Sequence, residues 1–274
     1  MIDGKIVITC AITGAETTKE QNPALPTTTE EVVRAAVEAR EAGAAILHLH
    51  VRDDAGKPTQ SVARFKEVIE AVRRKTDIIV EITTGGAVGD TAEERLRPVA
   101  ELEPEMASLD CGTVNFGNEY IVNTLPVMRE FASTFRAHKV RPTLECFDLG
   151  HVYTSLTLVK EGLLVGPLHY GFVLNVPGAV PWSPDNLEVF KRAMPMGADF
   201  TVMGIGRANL PAQYGAIAAG GWIRVGFEDN VYYAKGRLAK SNAEFVERAA
   251  RIAKEAQLEP ATPDEVRKHL KLRG

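Results

Sequence analysis

The stretch TEEVVRAAVEAREAGAAILHLHVRD, residues 29–53, carries two periods in succession. From Thr29 to Ala42 apolar residues recur at spacings of three and four, the mark of a helix with one buried face. Thr29 with Glu30 and Glu31 behind it reads as the start of that helix, and Gly43 as its stop. Ile46–Val51 is then an apolar run of strand length that finishes on polar residues, His48, His50, Arg52 and Asp53. This helix-then-strand unit recurs along the chain. Further apolar runs cover Lys5–Thr13, Ile78–Thr84, Met106–Cys111, Val140–Phe147, Tyr170–Val176, Phe200–Gly206 and Trp222–Phe227, which makes eight with the first. Helical spacing returns in Val62–Arg74, Thr91 with Glu94 fits a capping box, and Gly162 follows another helical segment.

Strands alternating with helices imply parallel strands joined by crossovers. The runs are almost continuously apolar, as expected of strands covered on both faces. Eight units favour a closed (β/α)8 TIM barrel, of the α/β class, over an open doubly wound sheet. The 274 residues allow about 34 per unit, the size of a βα repeat. No linker-like composition divides the chain, so 1–274 reads as one domain, with Thr262–Leu270 (262–270) an appended helix.

Composition excludes several classes. With 45% hydrophobic and 25% charged residues the chain is ordinary globular protein, not a disordered or collagenous one. A net charge of −4 argues against nucleic acid as a partner. No apolar run approaches the ~20 residues of a membrane span, and the N-terminus lacks a signal-peptide pattern. Three scattered cysteines, Cys10, Cys111 and Cys146, fit a reducing compartment, so a cytoplasmic location is expected.

Polar residues gather at the ends of the runs, where a barrel carries its chemistry, while the starts are mostly apolar or plain. His48 and His50, two apart on a strand, share a face and can hold one metal ion with positions left open. Neutral imidazoles suit zinc, and a carboxylate would complete the set. Glu228 is the best third ligand, because closure brings the eighth strand beside the first; Glu145 and Glu16 compete with it. Arg224, four residues before Glu228, uses the same face. Asp148 ends the fifth run alongside Glu145. Thr83 and Thr84 lead into Gly85-Gly86, where hydroxyls and open backbone suit substrate oxygens. Gly204-Ile205-Gly206 lacks the rest of a dinucleotide fingerprint, and there is neither a P-loop nor a GxSxG elbow. The apolar loop Asn175–Trp182 reads equally as a pocket wall or a subunit contact.

These residues together resemble the β-keto acid cleavage enzymes over essentially the whole chain. The resemblance rests on VITCAITGAE (7–16), LHLHVRD (47–53) with Gly56 behind it, TTGG (83–86), CGTVNFG (111–117), PTLECFD (142–148) and RVGFEDN (224–230). It implies a barrel with one catalytic Zn²⁺ per chain, assembled as a homotetramer. The implied reaction turns a β-keto acid and acetyl-CoA, the co-substrate, into acetoacetate and a new acyl-CoA. The resemblance makes His48, His50 and Glu228 the zinc ligands and Glu16, Arg224 and Asp229 the group that removes a substrate proton. It sets Thr83, Ser108 and Glu145 along the substrate site, with Thr83 where relatives commonly carry serine. A metal-dependent class II aldolase shares barrel, zinc and enolate chemistry but needs a phosphate or aldehyde site. A non-catalytic metal- or metabolite-binding barrel would not need Glu16, Arg224 and Asp229 beside the ligands.

Overall fold

The computed structural model describes residues 2–273. Its centre is a closed barrel of eight parallel strands in sequence order around the ring. The strands are β1 (Ile8–Ala11), β2 (Ile46–Leu49), β3 (Ile79–Ile82), β4 (Met106–Asp110), β5 (Arg141–Cys146), β6 (His169–Leu174), β7 (Asp199–Gly204) and β8 (Trp222–Val225). Closure is made by β8 on β1, with Arg224 opposite Thr9 and Val225 opposite Cys10. Strand 8 therefore stands two strands from β2, as the sequence requires for Glu228 to approach His48.

The crossover helices turn one apolar stripe onto the barrel. In α1 (Thr29–Glu41) the buried residues are Val32, Ala35, Ala36 and Ala39, and in α2 (Val62–Arg73) they are Phe65, Val68, Ile69 and Val72. Both sets follow the i, i+3, i+4, i+7 pattern of a helix packed on one side. The cap of α1 is Thr28 rather than Thr29: its hydroxyl accepts from Glu31 N–H, and Glu31 reaches back in a capping box. The predicted box at Thr91 and Glu94 opens α3 (Ala92–Leu102). Asp148, read from sequence as a strand-end carboxylate, instead accepts from Gly150 N–H as the N-cap of α5 (Leu149–Lys160). The remaining helices of the ring are α4 (Leu125–Ala137), α6 (Pro184–Ala193), α7 (Asn209–Ala219) and α8 (Asn242–Glu255).

The expected appended helix is α9 (Pro263–Leu270), capped by Thr262 and Glu265. It closes the N-terminal end of the barrel: Val266 and Leu270 form one cluster with Val7, Ile46, Ile79, Met106 and Trp222. The segment leading to it ties down the chain start, because Lys5–Ile6, part of the first predicted run, pairs with Glu259–Pro260 and not within the barrel. At the opposite end, short ribbons follow β2 (Val51–Arg52 with Pro58–Thr59) and β4 (Val114–Phe116 with Glu119–Ile121). Among the described residues no helix is long and apolar enough to cross a membrane.

The strand starts, expected to be mostly apolar or plain, have polar exceptions: β6 begins at His169 and β7 at Asp199, each a residue earlier than predicted, and further along the strands Glu81, Thr143 and Thr201 are buried within the ring. Barrel interiors are ordinarily filled by branched apolar side chains. Here the layer between the apolar floor and the mouth is polar.

Candidate active site

His48 and His50 stand side by side at the C-terminal end of β2, buried, with ring centroids 5.4 Å apart. Glu228 comes to them from the loop after β8. That loop turns at Gly226, whose φ of +141° and close approach to the Ala11 carbonyl exclude a side chain. Glu228 N–H then donates to the same Ala11 carbonyl at 3.1 Å, which fixes the loop on β1. Gly14 clears the space, since a Cβ there would lie 2.6 Å from Glu228 Cγ.

Glu228 Oε1 lies 3.6 Å from His48 Nε2 and 3.5 Å from His50 Nε2. These gaps are longer than a good hydrogen bond. They suit donors sharing a tetrahedral ion, which bonds of about 2.0–2.1 Å hold roughly 3.4 Å apart. The second oxygen, Glu228 Oε2, is buried with no hydrogen-bond partner among the described residues. The three donor atoms lie within 4.8 Å of one another. Two imidazoles and a carboxylate that keeps one oxygen unpartnered fit a zinc ion with open coordination positions.

Arg224 organises the carboxylates around this triad. Its Nη2 donates to Glu228 Oε1 at 2.6 Å and to Asp229 Oδ1 at 2.9 Å, its Nε to Asp229 Oδ2 at 3.2 Å, and its Nη1 to Glu145 Oε1 at 3.1 Å. Asp229 is thus gripped on both oxygens, with its side chain wholly shielded from solvent. Burial pushes its carboxyl up against the opposing pull of Arg224. Burial likewise pushes Glu145 up to about 8, against Arg224 and His48. For Glu228 the charge of Arg224, with His50 and His48, outweighs burial and holds the carboxyl well below its usual range.

Of the predicted residues, His48, His50, Thr83, Glu145, Arg224, Glu228, Asp229 and the exposed Glu16 come together around one cavity of about 190 Å³. Thr83 Oγ1 accepts from Gly85 N–H at 3.1 Å, leaving its own proton for a ligand. Thr84 and Ser108 do not line the cavity. Thr84 donates to the Ser108 carbonyl, and Ser108 Oγ accepts from Thr84 N–H, so the pair locks the β3 end onto β4. The loop after β6 does contribute a wall through Val176 and Pro177, while Trp182 turns outward onto Gly215 of α7. Phe116, Ile121 and Phe147 continue that apolar side.

Three participants have no role assigned to them from the sequence. Asp110 faces Glu145 across β4 and β5, lines the cavity and accepts from Asn123 Nδ2 at 3.3 Å. Arg52, inside the HxHxRD motif, binds the carbonyls of Gly14, Thr17 and Gly56 and so braces the loop that bears Glu16. Glu81 holds His48 from behind, its Oε1 2.8 Å from Nδ1. The run Ile79-Val80-Glu81-Ile82 contains a signal for Glu81, a lone acid in an apolar strand, but not its direction.

With this geometry in view, comparison with known proteins is consistent across the chain. The family model for beta-keto acid cleavage enzyme matches residues 5–272. A 3-keto-5-aminohexanoate cleavage enzyme of Fusobacterium nucleatum is 49% identical over 271 residues, 98% of each chain. A 3-dehydrocarnitine:acetyl-CoA trimethylamine transferase of Rhizobium meliloti is 36% identical, over 98% of this chain and 97% of that one. Among solved structures, a ternary complex of ObcA with a C4-CoA adduct and oxalate superposes with a TM-score of 0.79. At 19% identity, over 91% of this chain and 68% of that one, it shares the fold.

Proposed function

The chain belongs to the β-keto acid cleavage enzyme family, and from that premise we propose that it is a zinc-dependent acyltransferase acting on an amino-substituted β-keto acid with acetyl-CoA. A zinc ion on His48, His50 and Glu228 would polarise the keto acid's oxygens and so acidify its C2 protons. Asp229, oriented by Arg224, takes the C2 proton, and Glu16 at the cavity rim assists transfer to solvent. The C2 carbanion attacks the acetyl thioester carbon and CoA leaves as thiolate. That thiolate adds to the original keto carbon; the C2–C3 bond breaks, C2 regains a proton, and acetoacetate and a new acyl-CoA result. Thr83 and Glu145 bind and orient the substrate. Thr84 and Ser108 act on it through the loop they lock.

The observation that carries this reading is the buried Arg224–Asp229 pair directly beside the two-histidine, one-glutamate set. A site that only bound a metal has no use for a shielded carboxylate held at both oxygens. The amino substituent is supported by the acidic residues that remain at the cavity once Glu228 is given to zinc and Asp229 to Arg224, namely Glu16, Asp110 and Glu145. An ammonium group beside Glu145 would favour its ionised form against the burial that pushes its carboxyl up. The relative at 49% identity carries an amino group in the name of its substrate. A cytoplasmic homotetramer is proposed with it; the three cysteines are free and buried.

The test is zinc-loaded protein with acetyl-CoA and a panel of β-keto acids bearing amino, neutral and carboxylate substituents. Acetoacetate should form only with acetyl-CoA present, fastest from the amino compound, and in step with the matching acyl-CoA. Acetoacetate release without acetyl-CoA, or full turnover after removal of zinc, defeats the proposal.

A further inference from the structure

We propose that Glu81, Thr143, His169 and Thr201 form a one-way hydrogen-bond relay through the barrel that holds His48 with its proton on Nδ1 and its Nε2 lone pair facing the metal position. All four are buried in the polar layer beneath the mouth, on β3, β5, β6 and β7. The inference rests on the metal reading of His48, His50 and Glu228, and not on the identity of the keto acid.

The direction of every bond follows from counting protons. If Nε2 of His48 is a ligand, its proton sits on Nδ1 and is donated to Glu81 Oε1 at 2.8 Å. Glu81 Oε2 accepts from the hydroxyl of Thr143. A hydroxyl has one proton, so Thr143 Oγ1 can meet His169 Nδ1, 3.2 Å away, only as acceptor. His169 therefore also carries its proton on Nδ1. Its Nε2 is left as an acceptor, and Thr201 Oγ1 donates to it at 2.8 Å. Trp222 lies against the His169 ring, centroids 4.7 Å apart, and fixes its plane. Each donor points toward Glu81, which receives one hydrogen bond on each oxygen. Burying such groups costs free energy unless all are satisfied. An apolar layer would fill the barrel without that cost, so the polar one is explained by what it orients. A histidine ligand whose second nitrogen donates to a carboxylate is held in the right tautomer and made more basic.

Zinc affinity, measured by competition with a chromophoric chelator, tests this directly. Glu81→Gln should weaken zinc binding about 10–100-fold. Thr143→Val should weaken it several-fold, while Thr143→Ser, which keeps the hydroxyl, should stay within about twofold of the native protein. Ser155→Ala controls for loss of a buried hydroxyl elsewhere: Ser155 pairs with Tyr170 outside the ring, and its loss should leave affinity unchanged. Native affinity in Thr143→Val, or equal loss in the Val and Ser variants, overturns the relay. Should a variant fail to fold, imidazole ¹⁵N NMR of the native zinc-loaded protein decides. His48 and His169 should both be protonated at Nδ1; a proton on His169 Nε2 overturns the relay. A native chain that takes up no zinc overturns the metal reading itself, and this inference with it.

Discussion

Asp229 and Glu228 are neighbours in sequence with opposite surroundings: Glu228 shares one oxygen with Arg224 and leaves the other unpartnered, while Asp229 gives both oxygens to the guanidinium. On the proposed function this difference would separate ligand from base and make their variants distinguishable. Asp229→Asn should keep one bound zinc per chain yet lower kcat by about 10²–10⁴, the contribution of a positioned general base. Unchanged kcat would remove Asp229 from that role. His48→Ala should lose the bound metal as well as turnover, read by metal analysis after dialysis. His48, His50, Glu228 and Asp229 are legible in the sequence because each is polar at the end of an otherwise apolar run. Glu81, inside its run, is not, and Asp110 is visible as the polar end of the fourth run but not as the residue that faces Glu145. A lone acid in a strand reads equally as outward-facing, and the partners of Glu81, His48 and Thr143, are 33 and 62 residues away.

Among the elements, α1 shows how local chemistry sets a boundary. Three threonines, Thr27, Thr28 and Thr29, stand at the start of the helix, and only Thr28 lies three residues before the glutamate that closes the box. Burial would raise the Glu31 carboxyl, but Lys19 and the N–H groups of Thr27 and Thr28 outweigh it and hold the group at about 2. Its pKa is lower folded than unfolded, so its contribution is complete above the ordinary carboxylate range and is lost as pH falls toward 2. Glu31→Gln should therefore lower the thermal midpoint at pH 7, and the gap from the native protein should shrink progressively below pH 4.5. A gap independent of pH would show that Glu31 acts through packing. The loop after β8 is set by backbone instead. Gly14→Ala combines a φ of +70° with a methyl 2.6 Å from Glu228 Cγ, so it should displace the ligand and weaken zinc binding while the barrel stays folded. Undiminished affinity in a folded variant would count against this account of the loop. The early starts of β6 and β7 were hidden because His169 and Asp199 are polar, and a hydrophobic run stops where polarity begins.

For the molecule as a whole, the two barrel ends do different work. The mouth gathers charge; the floor is sealed by α9, with Leu270 and Val266 fully buried against Ile46, Ile79 and Trp222. Leu270→Ala should destabilise the protein by roughly 2–5 kcal/mol, as for other large buried side chains cut to alanine. A thermal midpoint shift with kcat unchanged would show it, whereas an unchanged midpoint would mean α9 is not part of the cooperative fold. The alternation of helix and strand, the number of units, the capped final helix and the polar strand ends could all be read in sequence. They depend on spacing along the chain, and hydrophobic period and cap chemistry are local. What only the tertiary structure decided was which polar groups meet across the ring. Glu81 reaches Thr143 and His48, Asp110 faces Glu145, and Thr84 with Ser108 serves the loop instead of the cavity. Such contacts are set by barrel closure and strand stagger, which no single segment encodes.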